Sequence, residues 1–271
     1  MIGIRTIRTL TRAVVAGALL AGGTAAAQAQ SSTTWNWTGQ LAEGRTVYLR
    51  NINGEVRIEQ GTGNTVEVRA EKRWRRGDPD DVRIEARTTG SGSGDVLICA
   101  LWFERATCDE NGYRGNSDRD RRDRDNDVSV HFVVTVPAHA RVDASTVNGG
   151  LTVEGTRGDI RASTVNGSVE ARSTAGRVEA STVNGSITVR TTVSGASGVE
   201  YSTVNGAITI ELPASAAADV DLSTVNGRIS SDFAMTLEGS INPRRIRATI
   251  GAGGPTIRAR TVNGSIRVRK L

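Results

Sequence analysis

Polar and apolar residues alternate along most of the chain in runs of about five residues, and glycines separate many of these runs. The alternation is clear in Arg177–Ser181 and in Ser186–Arg190. The side chains expected to face inward are Val178, Ala180, Ile187 and Val189, and those expected to face outward are Glu179, Thr188 and Arg190. A period of two is typical of β-strands with one buried face, so the pattern predicts an all-β protein.

One pentapeptide, STVNG, recurs between these runs. It begins at residues 145, 163, 181, 202 and 223, and a shortened TVNG begins at residue 261. The aligned asparagines are Asn148, Asn166, Asn184, Asn205, Asn226 and Asn263, at steps of 18, 18, 21, 21 and 37 residues. Further glycines, Gly158 and Gly176, lie midway between the early copies. The elementary unit is therefore about nine residues, and two units make one repeat.

Two architectures place a turn every nine residues. In an up-and-down meander, Asn-Gly would form a hairpin turn, and residues 18 apart would lie on alternate strands, roughly 9.5 Å apart. In a β-solenoid they would be direct parallel neighbours at about 4.8 Å, where asparagine amides can hydrogen-bond in a ladder. Only direct contact favours repetition of all five letters. We therefore predict a single-stranded β-helix or β-solenoid with rungs of about 18–21 residues and the six asparagines as its structural ladder.

The letters of the corner have predicted roles. Glycine would supply a positive φ or a close approach, valine would fill the corner of the core, and serine and threonine would offer hydroxyls to stacked hydrogen bonds or to solvent. The extra residues of the 21-residue steps would form short loops near Ser194–Ser197 and Pro213–Ala217. The 37-residue gap would hold two rungs, with Ile241-Asn242-Pro243 as the degenerate corner of one of them.

The first residues have the pattern of a secretory signal peptide. Arg5, Arg8 and Arg12 precede a small and apolar run that ends at an A-x-A site, Ala27–Ala29. The absence of a nearby cysteine argues against a lipoprotein anchor, so we expect a soluble periplasmic or secreted protein. The formal charge of +5 includes these three arginines, and 31 basic against 29 acidic residues remain without them. The basic pI therefore gives no reason to expect a nucleic-acid partner.

The region before the repeats is predicted to cap the solenoid. Asn51–Gly54 is an early copy of the corner, and Trp35 and Trp37 lie near the mature N-terminus. A solenoid needs a cap over its end rung, although the tryptophans also suit a sugar-stacking platform. The predicted organisation is a signal peptide at residues 1–29, an N-terminal β region at 30–140 and solenoid repeats at 141–271, the last two forming one continuous domain.

Cys99 and Cys108 are the only cysteines. In a secreted chain such a pair favours a disulfide, which would pin the base of the charged loop at residues 109–126. The acidic residues of that loop invite a calcium hypothesis, but the intervening arginines oppose it and no EF-hand spacing is present. They are Asp118, Asp120, Asp123 and Asp125, followed by Asp127.

No catalytic, cofactor-binding or metal site is predicted. The two histidines, His131 and His139, have no cysteine or second histidine nearby. The alternative is a carbohydrate-active lyase or hydrolase on a β-helix, which would need carboxylates converging on one face. The threonine rank is similar to the hydroxyl arrays of ice-binding solenoids, a weaker alternative.

The expected partner is a polysaccharide or an envelope protein along a flat face that includes Thr152, Glu170, Thr188 and Thr209.

The chain also resembles the bacterial "putative adhesin" family of domains of unknown function, DUF4097, which is related to head-GIN domain proteins. The resemblance rests on the signal peptide, the W-x-W segment, "NINGEVRIE", "VHFVVTVPAHARV" and the "TVNGSI" rungs. It implies a single-stranded β-helix over nearly all of the mature chain, and it supplies no catalytic residues. The function it implies is that of a non-enzymatic adhesin-like module of the cell envelope.

Overall fold

In the computed structural model the described residues, 31–89, 94–102, 105–115, 126–192, 198–239 and 242–271, form β-strands and one short 3₁₀ helix (Pro79–Asp81). The strands in chain order are β1 (Ser31–Gln40), β2 (Thr46–Arg50), β3 (Val56–Gln60), β4 (Thr65–Trp74), β5 (Arg83–Thr88), β6 (Val96–Leu101), β7 (Thr107–Asp109), β8 (Gly112–Arg114), β9 (Ser129–Val136), β10 (Arg141–Ser145), β11 (Leu151–Thr156), β12 (Ile160–Ser163), β13 (Val169–Ser173), β14 (Val178–Ser181), β15 (Ile187–Arg190), β16 (Val199–Asn205), β17 (Ile208–Leu212), β18 (Ala218–Asn226), β19 (Ile229–Ser231), β20 (Met235–Leu237), β21 (Arg245–Ile250), β22 (Thr256–Asn263) and β23 (Ile266–Lys270).

Two long sheets run along the molecule. Sheet 1 has the order β1-β4-β9-β3-β11-β13-β15-β17-β23-β19, and sheet 2 has the order β20-β21-β18-β22-β16-β14-β12-β10-β2-β6-β5. Each rung contributes one strand to each sheet, and neighbouring rungs pair in parallel, as in Val142 with Ile160 and Val169 with Ile187. The predicted solenoid is therefore confirmed, because a meander would pair its strands antiparallel.

A thin core fills the space between the two sheets. Both sheets contribute small and branched side chains, such as Ala162 and Ile160 from sheet 2 and Ala171 and Ile187 from sheet 1. Each of these residues is almost fully buried, and the residues between them face outward. The alternation read from the sequence therefore gives the correct buried face, and the scarcity of large rings follows from the small distance that the core has to span.

The N-terminal end of the stack is closed by antiparallel strands. The rung β6/β9 stacks outside β2/β3, and β4 pairs antiparallel with β9, β1 with β4, and β5 with β6. Trp35, Trp37 and Trp74 are partly buried against the core at this end. These tryptophans pack as a cap over the end rung, as the first of the two alternatives predicts.

The other end of the stack departs from the order of the chain. The rung β22/β23 lies between β16/β17 and β18/β19, so the last copy of the corner stacks between the fourth and the fifth. The 37-residue gap contains β20 and β21, which are antiparallel to their neighbours. The prediction of a degenerate corner at Ile241-Asn242-Pro243 is wrong, because Asn242 forms an antiparallel bridge with Arg245 at the turn into β21.

Candidate functional site

Each STVNG copy forms the corner at which the chain passes from sheet 2 to sheet 1. The strand alternation continues into the corner, so that in the second copy Ala162 is buried, Ser163 faces outward, Thr164 is buried and Val165 is exposed. In the first three copies the chain bends at the valine and at the glycine, whereas in the later copies the strand continues to the asparagine. The corner therefore has an inner rank of threonines and an outer edge of valines and asparagines.

The threonines are buried, so that of the two roles predicted for their hydroxyls the stacked hydrogen bonds apply, and no outward threonine array is present at this corner. Thr182 donates its hydroxyl to the carbonyl oxygen of Gly167 at 2.9 Å, and Thr203 donates to Gly185 at 2.9 Å. The same bond recurs for Thr146, Thr164, Thr224 and Thr261. Each buried hydroxyl is thus satisfied by the neighbouring rung, and it fastens one rung to the next.

The glycines are required by close approach between the rungs. A Cβ on Gly185 would lie 1.9 Å from the carbonyl oxygen of Gly167, and a Cβ on Gly206 would lie 1.9 Å from that of Gly185. Real contacts of this kind exceed 3 Å. Close approach therefore applies throughout the stacked corners, and the other predicted role, a positive φ, applies as well at Gly54 and Gly149, with φ values of 121° and 155°.

The six asparagines stack side by side and form one chain of side-chain hydrogen bonds. Asn166 donates to Asn148 at 2.9 Å, Asn184 to Asn166 at 2.8 Å, and Asn205 to Asn184 at 2.8 Å. Beyond Asn205 the ladder no longer follows the order of the sequence. Asn263 donates to Asn205 at 2.8 Å, and Asn226 donates to Asn263 at 2.9 Å. The early corner extends the backbone ladder, but the amide of Asn53 donates to Val128 O instead. The ladder lies at the surface of the protein.

The corner valines are exposed, and the prediction that they fill the core is wrong. In spatial order they are Val147, Val165, Val183, Val204, Val262 and Val225, and their exposed fractions range from 37% to 53%. We call this line of side chains the valine ridge. At about 4.8 Å per rung it is roughly 24 Å long, and its exposed area, on the order of 350 Å², equals that of a typical largest apolar patch on a soluble protein. Sequence reasoning missed the ridge because it placed the corner outside the alternating strand.

The outward rank of sheet 1 lies where the sequence predicts. Thr152, Glu170, Thr188 and Thr209 are register partners on successive strands. The charges of this face are largely paired: Arg172 contacts Glu170 at 2.6 Å, and Arg190 contacts Glu211 at 2.9 Å. The face is therefore flat, of mixed charge and mostly self-neutralised.

Sheet 2 carries a shallow hollow of about 270 Å³. It lies where β16 pairs with β14 over only two residue pairs, Ala180 with Tyr201 and Ser181 with Ser202. Its lining residues are Glu179, Gly198, Val199, Glu200, Thr256 and Arg258. Glu200 is paired with Arg260 at 3.2 Å. Two acidic residues from neighbouring rungs, Glu179 and Glu200, therefore line the same concavity.

The two cysteines lie beside each other at the edge of sheet 2. The Cα atoms of Cys99 and Cys108 are 6.4 Å apart, which is a disulfide separation. The small hairpin β7–β8 that carries Cys108 is also held by Arg50, a buried arginine whose guanidinium bonds to Asp143 Oδ1 at 2.8 Å and to the carbonyl of Glu110.

The remaining candidate residues have structural contacts. The carboxylate of Asp127 accepts hydrogen bonds from the backbone N–H groups of Gly77, Arg76 and Arg75, which lower its pKa. His131 is half-buried on β9, where burial lowers its pKa, and it contacts Ser129 at 3.2 Å. His139 lies in the turn between β9 and β10. Asp118, Asp120, Asp123 and Asp125, like the predicted signal peptide and the Ser194–Ser197 loop, lie outside the described residues.

Residues 40–269 match the Toastrack DUF4097 family, and the chain belongs to that family. A "putative cell adhesion protein" from Clostridium sporogenes has a similar fold, with a TM-score of 0.50 and 10% identity over 88% of this chain and 100% of that one. A "putative adhesin" from Bacteroides fragilis also matches, with a TM-score of 0.39 and 13% identity over 88% of this chain and 97% of that one. No curated protein matches the chain. No helix in the described part of the chain has the length and apolar character needed to cross a membrane.

Proposed function

We propose that this protein is a non-enzymatic adhesin-like module of the cell envelope, exported to the periplasm or beyond, which binds an extended partner along the valine ridge. The observation that carries the proposal is the ridge itself. Six of the exposed large apolar side chains in the described residues occupy one repeated position, and they lie beside a ladder of exposed amides. The largest apolar patch on a soluble protein is often functional, and the regular spacing of this one supports a role as an interaction surface.

The chemistry of the ridge favours a protein partner. Its side chains are aliphatic, and they repeat at the spacing of stacked β-strands, about 4.8 Å. Another sheet or solenoid with this spacing can place one side chain between each pair of valines, as in the dry interfaces of stacked sheets. The protein of similar fold from Clostridium sporogenes is described as a "putative cell adhesion protein", which supports a role in binding. Binding to a polysaccharide, the other expected partner, is the second possible outcome of the test below.

The test compares two matched triple variants. One replaces Val165, Val183 and Val204 of the ridge by serine, and the other replaces Thr152, Thr188 and Thr209 of the outer face of sheet 1 by serine. Pull-downs from envelope extract with the unaltered protein and the face variant should capture the same protein, and the ridge variant should lose it at least about tenfold. Equal capture by all three proteins would contradict binding through the ridge. If instead the unaltered protein and the face variant bind to insoluble polysaccharide and only the ridge variant does not, the partner of the ridge is a polysaccharide and not a protein.

The hollow on sheet 2 supports a second candidate, a carbohydrate-active enzyme. Glu179 and Glu200 both line this concavity, and glycoside hydrolysis uses a pair of carboxylic residues. The test is to incubate the protein with a panel of envelope and plant polysaccharides and to measure new reducing ends or unsaturated products. Turnover that disappears with Glu179→Gln would overturn the non-enzymatic proposal, and binding without turnover would support it.

A further inference from the structure

The most unusual feature of the stack is the place of its last rung. The strands β22 and β23 come later in the chain than β16 to β19, yet they lie between them in both sheets. Thr261 is a register partner of both Thr203 and Thr224, and Ile266 is a partner of both Ile208 and Ile229. This rung therefore occupies a slot bounded on both sides by strands that precede it in the chain.

The two walls of the slot carry the same groups. On one side Asn263 donates to Asn205 at 2.8 Å, and on the other it accepts from Asn226 at 2.9 Å. Thr261 donates to the carbonyl of Gly206, and the carbonyl of Gly264 accepts from Thr224. Residues 223–227 repeat STVNG, so β18/β19 could make the same corner bonds directly to β16/β17, at the 21-residue step that already separates Asn184 from Asn205. The stack can thus close without its last rung.

The inserted segment is held along its whole length. Ile257, Ala259, Ile266 and Val268 are at most 1% exposed, so their side chains complete the core. Both edges of β22 and of β23 pair with neighbouring strands, and only an extended segment with TVNG at its middle can satisfy the threonine, asparagine and glycine positions together. The slot is therefore a specific site for a strand–corner–strand segment, and the sequence that fits it is that of residues 256–270.

The link into the slot is a short glycine-rich crossing. β21 lies on one side of β18 and β22 on the other, so residues 251–255 pass around the start of β18. Gly251 and Gly253 have φ values of 60° and 77°, and Gly251 and Gly254 pack against the carbonyls of Ala216 and Ala217. A short link that must reverse in this way favours exchange between copies when it is shortened.

We propose that the slot between β16/β17 and β18/β19 is a strand-acceptor site that also takes residues 256–270 from a second copy of this chain. The two copies donate the segment to each other. Every contact within the slot is the same in the exchanged pair as in the single chain, so only the link and the protein concentration decide between the two forms. This inference does not depend on the partner of the valine ridge.

The experiment uses the full chain with Gly253 and Gly254 deleted, so that the link is too short to pass around β18. We expect a folded dimer by light scattering, with the circular dichroism spectrum of the unaltered protein. When Ser202→Cys and Arg260→Cys are placed on separate copies of the deletion variant, a short bifunctional thiol reagent should join the two copies, because these positions are register partners. A folded monomer would overturn the proposal, and so would a dimer without this cross-link.

A second measurement keeps the proposal testable if the deletion variant does not fold. A protease site inserted between Ala252 and Gly253 of the full chain is cleaved after folding, and a fluorescent peptide of residues 255–271 is added in moderate urea. The peptide should enter the slot, whereas the same peptide with Gly264→Ala should enter at least about tenfold less, because its Cβ would lie 1.8 Å from the carbonyl oxygen of Gly206. Equal entry of both peptides, or entry of neither, would contradict an acceptor site.

Discussion

The substitution Gly185→Ala tests how closely the rungs are stacked. The added methyl carbon would lie 1.9 Å from the carbonyl oxygen of Gly167 and 2.4 Å from its carbonyl carbon. Because the obstructing atoms belong to the backbone, no side-chain rotation relieves the contact. The two corners would have to separate by about 1.5 Å to restore an ordinary van der Waals distance.

A separation of that size breaks the hydrogen bonds that join the two corners. They run from Asn184 N to Val165 O at 2.7 Å, from Gly167 N to Asn184 O at 3.0 Å, from Thr182 Oγ1 to Gly167 O at 2.9 Å, and from the amide of Asn184 to that of Asn166 at 2.8 Å. At about 0.5–1.5 kcal/mol each, we expect a loss of roughly 2–6 kcal/mol. This is a large part of the stability of an ordinary domain, about 5–15 kcal/mol.

The assay is urea unfolding followed by far-ultraviolet circular dichroism, and the matched control is Gly150→Ala. Gly150 immediately follows the first stacked corner, but a Cβ there would meet only Ser168 O at 3.7 Å, an ordinary contact. The equivalent positions of later rungs carry serine, alanine and arginine (Ser168, Ser186, Ala207 and Arg228). The control should change stability by less than about 1 kcal/mol. A Gly185→Ala protein as stable as this control would refute the close stacking.

Three further predictions follow from the same structure. Asn184→Ala should cost only about 0.5–1 kcal/mol in urea unfolding, because the ladder is exposed and water replaces the lost amide; a loss above about 3 kcal/mol would contradict an exposed ladder. Burial raises the pKa of Tyr201, whose hydroxyl has no partner in the described part of the chain. The unfolded chain therefore ionises first and stability falls as the pH rises above about 10, by up to about 1.4 kcal/mol per pH unit. Thermal unfolding between pH 8 and 11 should show a smaller fall for Tyr201→Phe, and an unchanged fall in that variant would contradict the assignment to Tyr201. Cys99 and Cys108 should resist thiol reagents in protein purified from the periplasm until reductant is added, and two free thiols there would exclude the disulfide.

The architecture could be predicted because parallel stacking of rungs favours an exact sequence repeat that other folds do not require. Parallel neighbours in a solenoid contact each other directly, so Asn166 and Asn184 share the same environment and keep the same letter. The buried positions of the strands followed from simple alternation. These two observations were sufficient to choose parallel stacking over a meander.

The corner was predicted with its valine on the wrong side and the position of its threonine left open. Valine was placed inside because it is apolar, whereas the threonine hydroxyl was assigned either to stacked hydrogen bonds or to solvent. The alternation from Ala144 continues through Thr146 and Val147, however, and it gives the observed arrangement once the corner is counted as part of the strand. Threonine is stable inside because its hydroxyl donates a hydrogen bond to the glycine carbonyl oxygen of the neighbouring rung.

The order of the last rungs could not be predicted from the repeat. Asn226 and Asn263 lie in corners of the same sequence, so both fit beside Asn205 equally well. The antiparallel strands β20 and β21 and the glycine-rich link decide which copy is inserted. The order of the rungs therefore depends on how the chain connects them, and the repeated corner sequence does not specify those connections.

Hydroxyl-radical footprinting of the protein bound to envelope material tests the claim that the valine ridge is the binding surface most directly. The protein is oxidised free and bound, and the modification of each peptide is compared by mass spectrometry. We expect Val165, Val183 and Val204 to be protected on binding, while the outer face around Thr188 keeps its reactivity. Protection of the hollow at Glu179 and Glu200, with an unchanged ridge, would contradict the account.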